Sequence, residues 1–335
     1  MLLNATQARA LFTQALQDRF AVLAVNADSP SAVYDCLEAA RQCSAPLIIE
    51  TSLWQLQGRS FGAGDALLGL LRYLADVAAL ANSERFMAVP VIFHTDHIKG
   101  PQTLAILKAA IAGVSVSSGK SSLLLQASTI SLDSSELTEE QNIETISELC
   151  RHAETLGVEV TLEMEAGVDD GLTSEEITRR LLGSVEKKYP GKIGLWAPGL
   201  GTQHGLSDKG YPTFSAEAVS RQRELAREIT GHGIGLALHG SSGLDQESLR
   251  AAVREGVVKV NWSSESLLIR NQAAMEFFDS HRPQMNKKHP DWKKTVMDNG
   301  LQSFIAERYL PRVMERIKIL GSDEKAGRLS LSGKL

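Results

Sequence analysis

Apolar and β-branched residues fall along the chain into short continuous runs, each followed by a polar or glycine-containing turn and then by a stretch of helical periodicity. The runs Ala21–Asn26, Pro46–Thr51, Val89–His94, Ser122–Ala127, Glu159–Glu165, Ile193–Pro198, Ile234–His239 and Val257–Asn261 predict eight strands. Most are apolar throughout rather than alternating, as parallel strands covered on both faces must be. Helices are predicted between them over Ser31–Gln42, Ala63–Asn82, Gln102–Ala112, Glu139–Leu156, Ser174–Lys187, Ala216–Thr230, Asp245–Arg254 and from Glu265 onward. Several follow a Ser, Thr or Asp able to accept from the first free backbone N–H groups. Eight alternating units predict an α/β fold closed as a (β/α)8 TIM barrel, a single domain over residues 1–320, with extra C-terminal helical pattern from about Asn286 to Leu320. The Ser/Gly/Lys-rich end, residues 321–335, is expected to be a flexible tail.

Composition narrows the ligand rather than the fold. The 335 residues are 43% hydrophobic and 22% charged, the profile of a soluble protein with a large core. A mixed net charge of -5 gives no electrostatic footprint for nucleic acid or an anionic membrane, so a small molecule is the expected partner. The chain starts without a basic region followed by an apolar run and has no membrane-length apolar stretch, which places it in the cytoplasm as an expectation. Cys36, Cys43 and Cys150 lack metal-type spacing and are expected to be reduced structural thiols.

In such a barrel the chemistry sits at the carboxyl ends of the strands. There the chain places Asn26, Thr51-Ser52, His94-Thr95-Asp96-His97, Ser128 with Asp133 beyond it, Glu163 and Glu165, Gly201-Thr-Gln-His204-Gly205, His239-Gly-Ser-Ser-Gly243 and Asn261-Trp-Ser263-Ser264. His94, still inside its apolar run, is expected to hydrogen-bond within the core. His97, His204 and His239 come from three strands, and neutral imidazoles converging on one opening suit a catalytic zinc site with room for substrate. Asp96 is either an acid/base beside such a metal or a cap or salt-bridge partner. Glu163 and Glu165 share a strand face and either orient ligands or bond to barrel neighbours. The small residues of 239–243, and Asn261 with Ser263 and Ser264, have the composition of phosphate cradles on adjacent strands.

Taken in order, His94-Thr-Asp-His97, the Ser128 to Asn142 segment with Asp133, Leu162-Glu-Met-Glu-Ala-Gly167, Gly201-Thr-Gln-His-Gly205, His239-Gly-Ser-Ser-Gly243 and Lys259-Val-Asn-Trp-Ser-Ser-Glu265 resemble class II fructose-bisphosphate and tagatose-bisphosphate aldolases over about residues 10–320. The resemblance implies reversible aldol cleavage of a phosphorylated ketose to dihydroxyacetone phosphate and an aldehyde through an enediolate. It implies zinc, or another divalent metal, on His97, His204 and His239, with Glu165 in the inner metal pocket, and it allows a monovalent cation beside it. It makes Asp96 the acid/base and Asp133 a residue behind the metal ligands. Asn26, Ser52, Gly205, Gly240, Ser242, Asn261, Ser263 and Ser264 become the substrate and phosphate contacts, with Lys209 near the phosphate and a homodimer or homotetramer as the expected assembly.

The chain departs from the family in the loop after the fifth strand, where Glu165-Ala-Gly-Val-Asp-Asp-Gly171 is short and offers Asp169 and Asp170; Asp170 is the candidate second acid/base. Ser241 stands where a glycine is usual and Trp262 adds bulk beside Asn261, which together point to a related phosphorylated ketose rather than fructose 1,6-bisphosphate itself. Two other readings stand beside this one. A metal-dependent sugar-phosphate epimerase or isomerase on the same barrel uses the same intermediate, and a non-catalytic aldolase-like subunit would bind a partner.

Overall fold

The structure, a computed structural model, describes residues 1–118, 121–167, 171–206 and 213–328. Ten strands occur among them: β1 Val22–Asn26, β2 Leu47–Thr51, β3 Val91–Thr95, β4 Val114–Ser118, β5 Ser121–Leu125, β6 Thr129–Ile130, β7 Leu162–Glu165, β8 Ile193–Ala197, β9 Gly235–Leu238 and β10 Val257–Trp262. Eight close into a parallel barrel in the order β1-β10-β9-β8-β7-β6-β3-β2, while β4 and β5 pair antiparallel as a separate hairpin. Closure is carried by β1, whose Ala24 stands opposite Asn261 on one side and Ile48 on the other.

The strands form where β-branched and aliphatic residues run together, and the intervening helices are stopped by local chemistry. Thr138 and Gln141 form a capping box at the start of Glu139–Leu156, which ends on Gly157 in the left-handed region at φ 67°. Outside the barrel, one continuous core joins the outward strand residues Val25, Ile49, Phe93 and Trp196 to the helices. A second cluster fills the barrel floor: Val22, Ala24, Ile48, Ile92 and Leu195 meet Leu3, Leu11 and Phe12 of the N-terminal segment. The helix Ala5–Asp18 therefore plugs the amino-terminal mouth, anchored by Leu3 N–H on Val91 O at 2.8 Å and by Ser128 Oγ on Leu3 O at 2.6 Å. This plug leaves the functional end at the opposite, carboxyl-terminal mouth.

The structure adds to or departs from the sequence pattern at three points. The run Ser122–Ala127 is not the fourth barrel strand; it lies mostly in β5 of the hairpin, and the barrel position belongs to the two-residue β6. An apolar run reports a strand but not the sheet that takes it. The helix Ala5–Asp18 precedes the first predicted element. Of the expected tail, Ser322 is buried, Glu324 N–H donates to Cys43 O at 2.9 Å and Ala326 N–H to Ser44 O at 2.8 Å, while residues 329–335 lie outside the described residues. Among the described residues no helix is long and apolar enough to cross a membrane. Cys36, Cys43 and Cys150 are free and buried.

Candidate active site

The barrel interior changes character from floor to mouth. Above the apolar floor, four strands carry a polar or charged side chain inward: Glu50 on β2, His94 on β3, Glu163 on β7 and Lys259 on β10, all completely buried. Above these stand Asn26, Asp96, Glu165, His239 and Asn261. His94 stays in the interior as expected, its Nδ1 2.7 Å from Thr129 Oγ1 and its Nε2 3.7 Å from Glu163.

His97, His204 and His239 come together at the mouth. Their rings lie 4.5 to 5.7 Å apart between centroids, and one ligand-type atom from each falls within 4.8 Å of the others. They grade from the buried His239 through His97 to the exposed His204. Two of the rings are oriented from behind by carboxylates. His97 Nδ1 lies 3.2 Å from Asp133 Oδ2, which leaves Nε2 facing inward. His239 Nε2 lies 2.8 Å from Glu163 Oε1, and its Nδ1 is buried with no hydrogen-bond partner among the described residues. A buried imidazole nitrogen left unpaired, beside two other imidazoles, is what a divalent cation needs; carboxylate-backed histidine is the usual support for such ligands. The residues present thus fit a metal ion. The His97 backbone, at φ 24°, occupies a region that costs a non-glycine residue about 1–3 kcal/mol. It is held there by Leu53 N–H, which donates to His97 O at 3.4 Å, and by Asp96 N–H on Thr51 O at 2.8 Å.

Asp96 is fully buried beneath this cluster, 3.8 Å from His97 Nε2. Asn26 Nδ2 donates to its Oδ2 at 3.1 Å and Asn261 Nδ2 to its Oδ1 at 3.3 Å. Burial pushes its pKa up, but His97, Lys259, His239 and the Asn26 hydrogen bond outweigh that and hold it at about 2. With only protein charges around it, His97 is raised to about 10 by Asp96, against its own burial. Burial raises Glu165 to about 8 despite His97, and Ser131 Oγ donates to its Oε1 at 3.2 Å. Glu165 Oε1 stands 3.9 Å from His239 Nδ1, and Asp96, Glu165 and His239 also present ligand-type atoms to one another.

A cavity of about 550 Å³ opens on the cluster. Asn26, Ser52, His97, Asp133, Glu165, His204, Gly205, Gly240, Ser242, Asn261, Ser263 and Ser264 line it, so twelve of the expected site residues share one wall system. Asp96 and His239 lie directly behind. Gly240 is required where it stands: at φ 63°, an added Cβ would sit 2.5 Å from Gln203 O. That close approach packs the loop after β9 against the segment carrying His204. Ser241 is turned inward, its Oγ donating to Asn261 O, while Ser242 Oγ accepts from Glu265 N–H at 3.4 Å. Ser263 and Ser264 open the helix Ser264–His281 toward the cavity, where the positive end of the helix favours an anion. Asp170 and Lys209 lie outside the described residues. Trp54, Gln57 and Lys99 also line the cavity, and nothing in the pattern of the chain marks them beyond their following strand ends.

Comparison with known proteins supplies the family. Residues 6–325 match the family model described as fructose-bisphosphate aldolase class-II. The chain is 26% identical over 322 residues to the fructose-bisphosphate aldolase of Streptococcus pneumoniae, covering 94% of this chain and 97% of that one. It is 28% identical over 276 residues to the Candida albicans fructose-bisphosphate aldolase, 76% of each chain. Among solved structures, the Campylobacter jejuni fructose-bisphosphate aldolase superposes with a TM-score of 0.80 at 21% identity, covering 97% of both chains, and the Escherichia coli YdjI aldolase with 0.70 at 20%, covering 97% of this chain and 100% of that one. With a family match running almost end to end on a barrel that gathers histidines at its open mouth, the chain belongs to the class II fructose-bisphosphate aldolases and is a carbon–carbon lyase.

Proposed function

We propose that this protein cleaves a phosphorylated ketose reversibly into dihydroxyacetone phosphate and an aldehyde, with His97, His204 and His239 holding a divalent cation, zinc by preference for this ligand set. The observation that carries the reading is the unpaired, buried Nδ1 of His239 beside the other two imidazoles. When bound, the cation would supply Lewis acidity for the negative charge that develops as a carbon–carbon bond breaks. Every other part of the work falls to the chain.

Asp96, kept in its acceptor form across the neutral range, takes the proton from the C4 hydroxyl in cleavage and returns it to the aldehyde oxygen in condensation. Asn26 and Asn261 fix both of its oxygens, so the proton is received in one geometry. Asp133 and Glu163 orient the histidine rings, and Glu165 closes the inner side of the pocket. Ser52, Gly205, Gly240, Ser242, Ser263 and Ser264, with Lys209, hold the phosphate end, using small side chains and helix-end N–H groups. Asp170 exchanges the remaining proton at C3. One barrel domain, a cytoplasmic location and a homodimer or homotetramer complete the proposal.

Incubation with a panel of ketose mono- and bisphosphates, followed by product analysis, tests it. Release of dihydroxyacetone phosphate and an aldehyde is expected. An unbroken carbon chain with altered stereochemistry would replace the lyase reading with epimerisation, and no reaction on any member would favour a binding subunit.

A further inference from the structure

Lys259 is given no contact with substrate or metal in the chemistry above, yet it is a fully buried lysine in a barrel interior, where branched apolar side chains are the rule. Its Nζ lies 2.6 Å from Asn261 Oδ1, 3.1 Å from Glu163 Oε2, 3.3 Å from Glu163 Oε1 and 3.4 Å from Glu50 Oε2. Both Glu50 oxygens and Glu163 Oε2 make no hydrogen bond among the described residues, so the ammonium supplies their compensation through charge. Glu50, His94 and Asp96 also present ligand-type atoms within 4.8 Å of one another, but Lys259 already provides the cation at that depth.

Two paths lead from this ammonium to the mouth. Glu163 passes it to His239 Nε2 at 2.8 Å, and Asn261 passes it to Asp96, with Asn261 Nδ2 3.3 Å from Asp96 Oδ1. An ammonium donates and never accepts. It therefore forces the Asn261 amide to turn its oxygen down and its NH2 up toward Asp96; the reverse orientation would set an amide oxygen against a carboxylate. By the same logic it holds the Glu163 carboxylate as an acceptor, so His239 donates from Nε2 and leaves Nδ1 as the lone pair toward the cluster.

We propose that Lys259 is a positioning residue that sets both polarities at once, the ligand nitrogen of His239 and the donor end of Asn261, acting through Glu163 and Asn261 rather than on substrate. The proposal rests on the metal reading above, and cobalt(II) titration separates the two. Wild-type protein is expected to bind one cobalt ion with a visible absorption band, and a wild type that binds none would remove both readings. Lys259→Met, and the double variant Lys259→Met/Glu50→Gln that leaves fewer uncompensated acids, are expected to bind cobalt about 10- to 100-fold more weakly with an altered band. In cleavage assays kcat is expected to fall with KM little changed. A folded variant with wild-type cobalt affinity, band and kcat overturns the proposal. If neither variant folds, Glu163→Gln, with Lys259 in place, is expected to reproduce the weakened affinity and altered band, and an unchanged titration there overturns it equally.

Discussion

The Nδ1 of His97 and the Oδ2 of Asp133 lie 3.2 Å apart, although 36 residues separate them along the chain. The contact joins the loop after β3 to the loop after β6 and decides which nitrogen of His97 faces the cluster. Asp133 is itself fixed by Ser135 N–H at 2.9 Å and lies 3.5 Å from Lys99. Removing its charge with Asp133→Asn should let the ring rotate and lower metal affinity about 10- to 100-fold. Competition with a colorimetric chelator measures this, and undiminished retention would count against the orienting role.

Asp96→Asn is expected to behave in the opposite way. It keeps the shape and the cluster, so the metal content of the purified protein should stay at the wild-type level. Turnover should fall about 10²- to 10⁴-fold with loss of the proton acceptor. Metal analysis beside a cleavage assay separates the two roles. Near-normal turnover would return Asp96 to a structural part.

How much of this was legible in the sequence depends on what each signal reports. Near-continuous apolar runs fix strand positions well, and seven of the eight barrel strands lie where the pattern puts them. The fourth fails because β6 is two residues long, too short for any periodicity, while the stronger Leu123–Leu125 run belongs to the hairpin. Asp133 still reaches the cavity, since it follows β6 closely whichever strand is counted. Residues such as Lys259 and Glu50 were illegible as a network. A charge inside an apolar run shows that something must compensate it, but only closure of the barrel brings β2, β7 and β10 to one point. The N-terminal helix has no mark in the strand–helix alternation, because a plug is defined by the mouth it fills.

Gly240→Ala should be damaging for two separable reasons. The left-handed backbone alone costs about 1 kcal/mol for alanine, and the new Cβ would press on the Gln203 backbone at 2.5 Å. A lower Tm is expected together with a raised KM for phosphorylated ketose, because the displaced loop carries Ser242 and abuts the segment of His204. A variant with unchanged Tm and KM would show that the loop has slack the geometry denies.

Acid stability should depend on Glu38, which ties the helix Pro30–Gln42 to Arg85. Arg41 holds it at 2.7 Å and Arg85 at 2.9 Å. The Arg41 hydrogen bond is the largest influence and, with Gln42 and Arg85, lowers its pKa to about 2 against the effect of burial. The unfolded chain binds this proton near 4.3. The contribution is therefore fully present above that value and lost as pH falls from about 4.3 toward about 2. Glu38→Gln should lower stability at neutral pH and flatten this part of the acid limb in urea unfolding. An unchanged limb would mean that the ion pairs contribute nothing.

The most direct test of the proposed chemistry is aldol cleavage by one preparation before chelation, after chelation, and after return of one equivalent of zinc per chain. Triose phosphate release that vanishes on chelation and returns with zinc in the wild type, but does not return in His204→Ala, is the expected result. Full activity in protein shown by elemental analysis to hold no metal would contradict it.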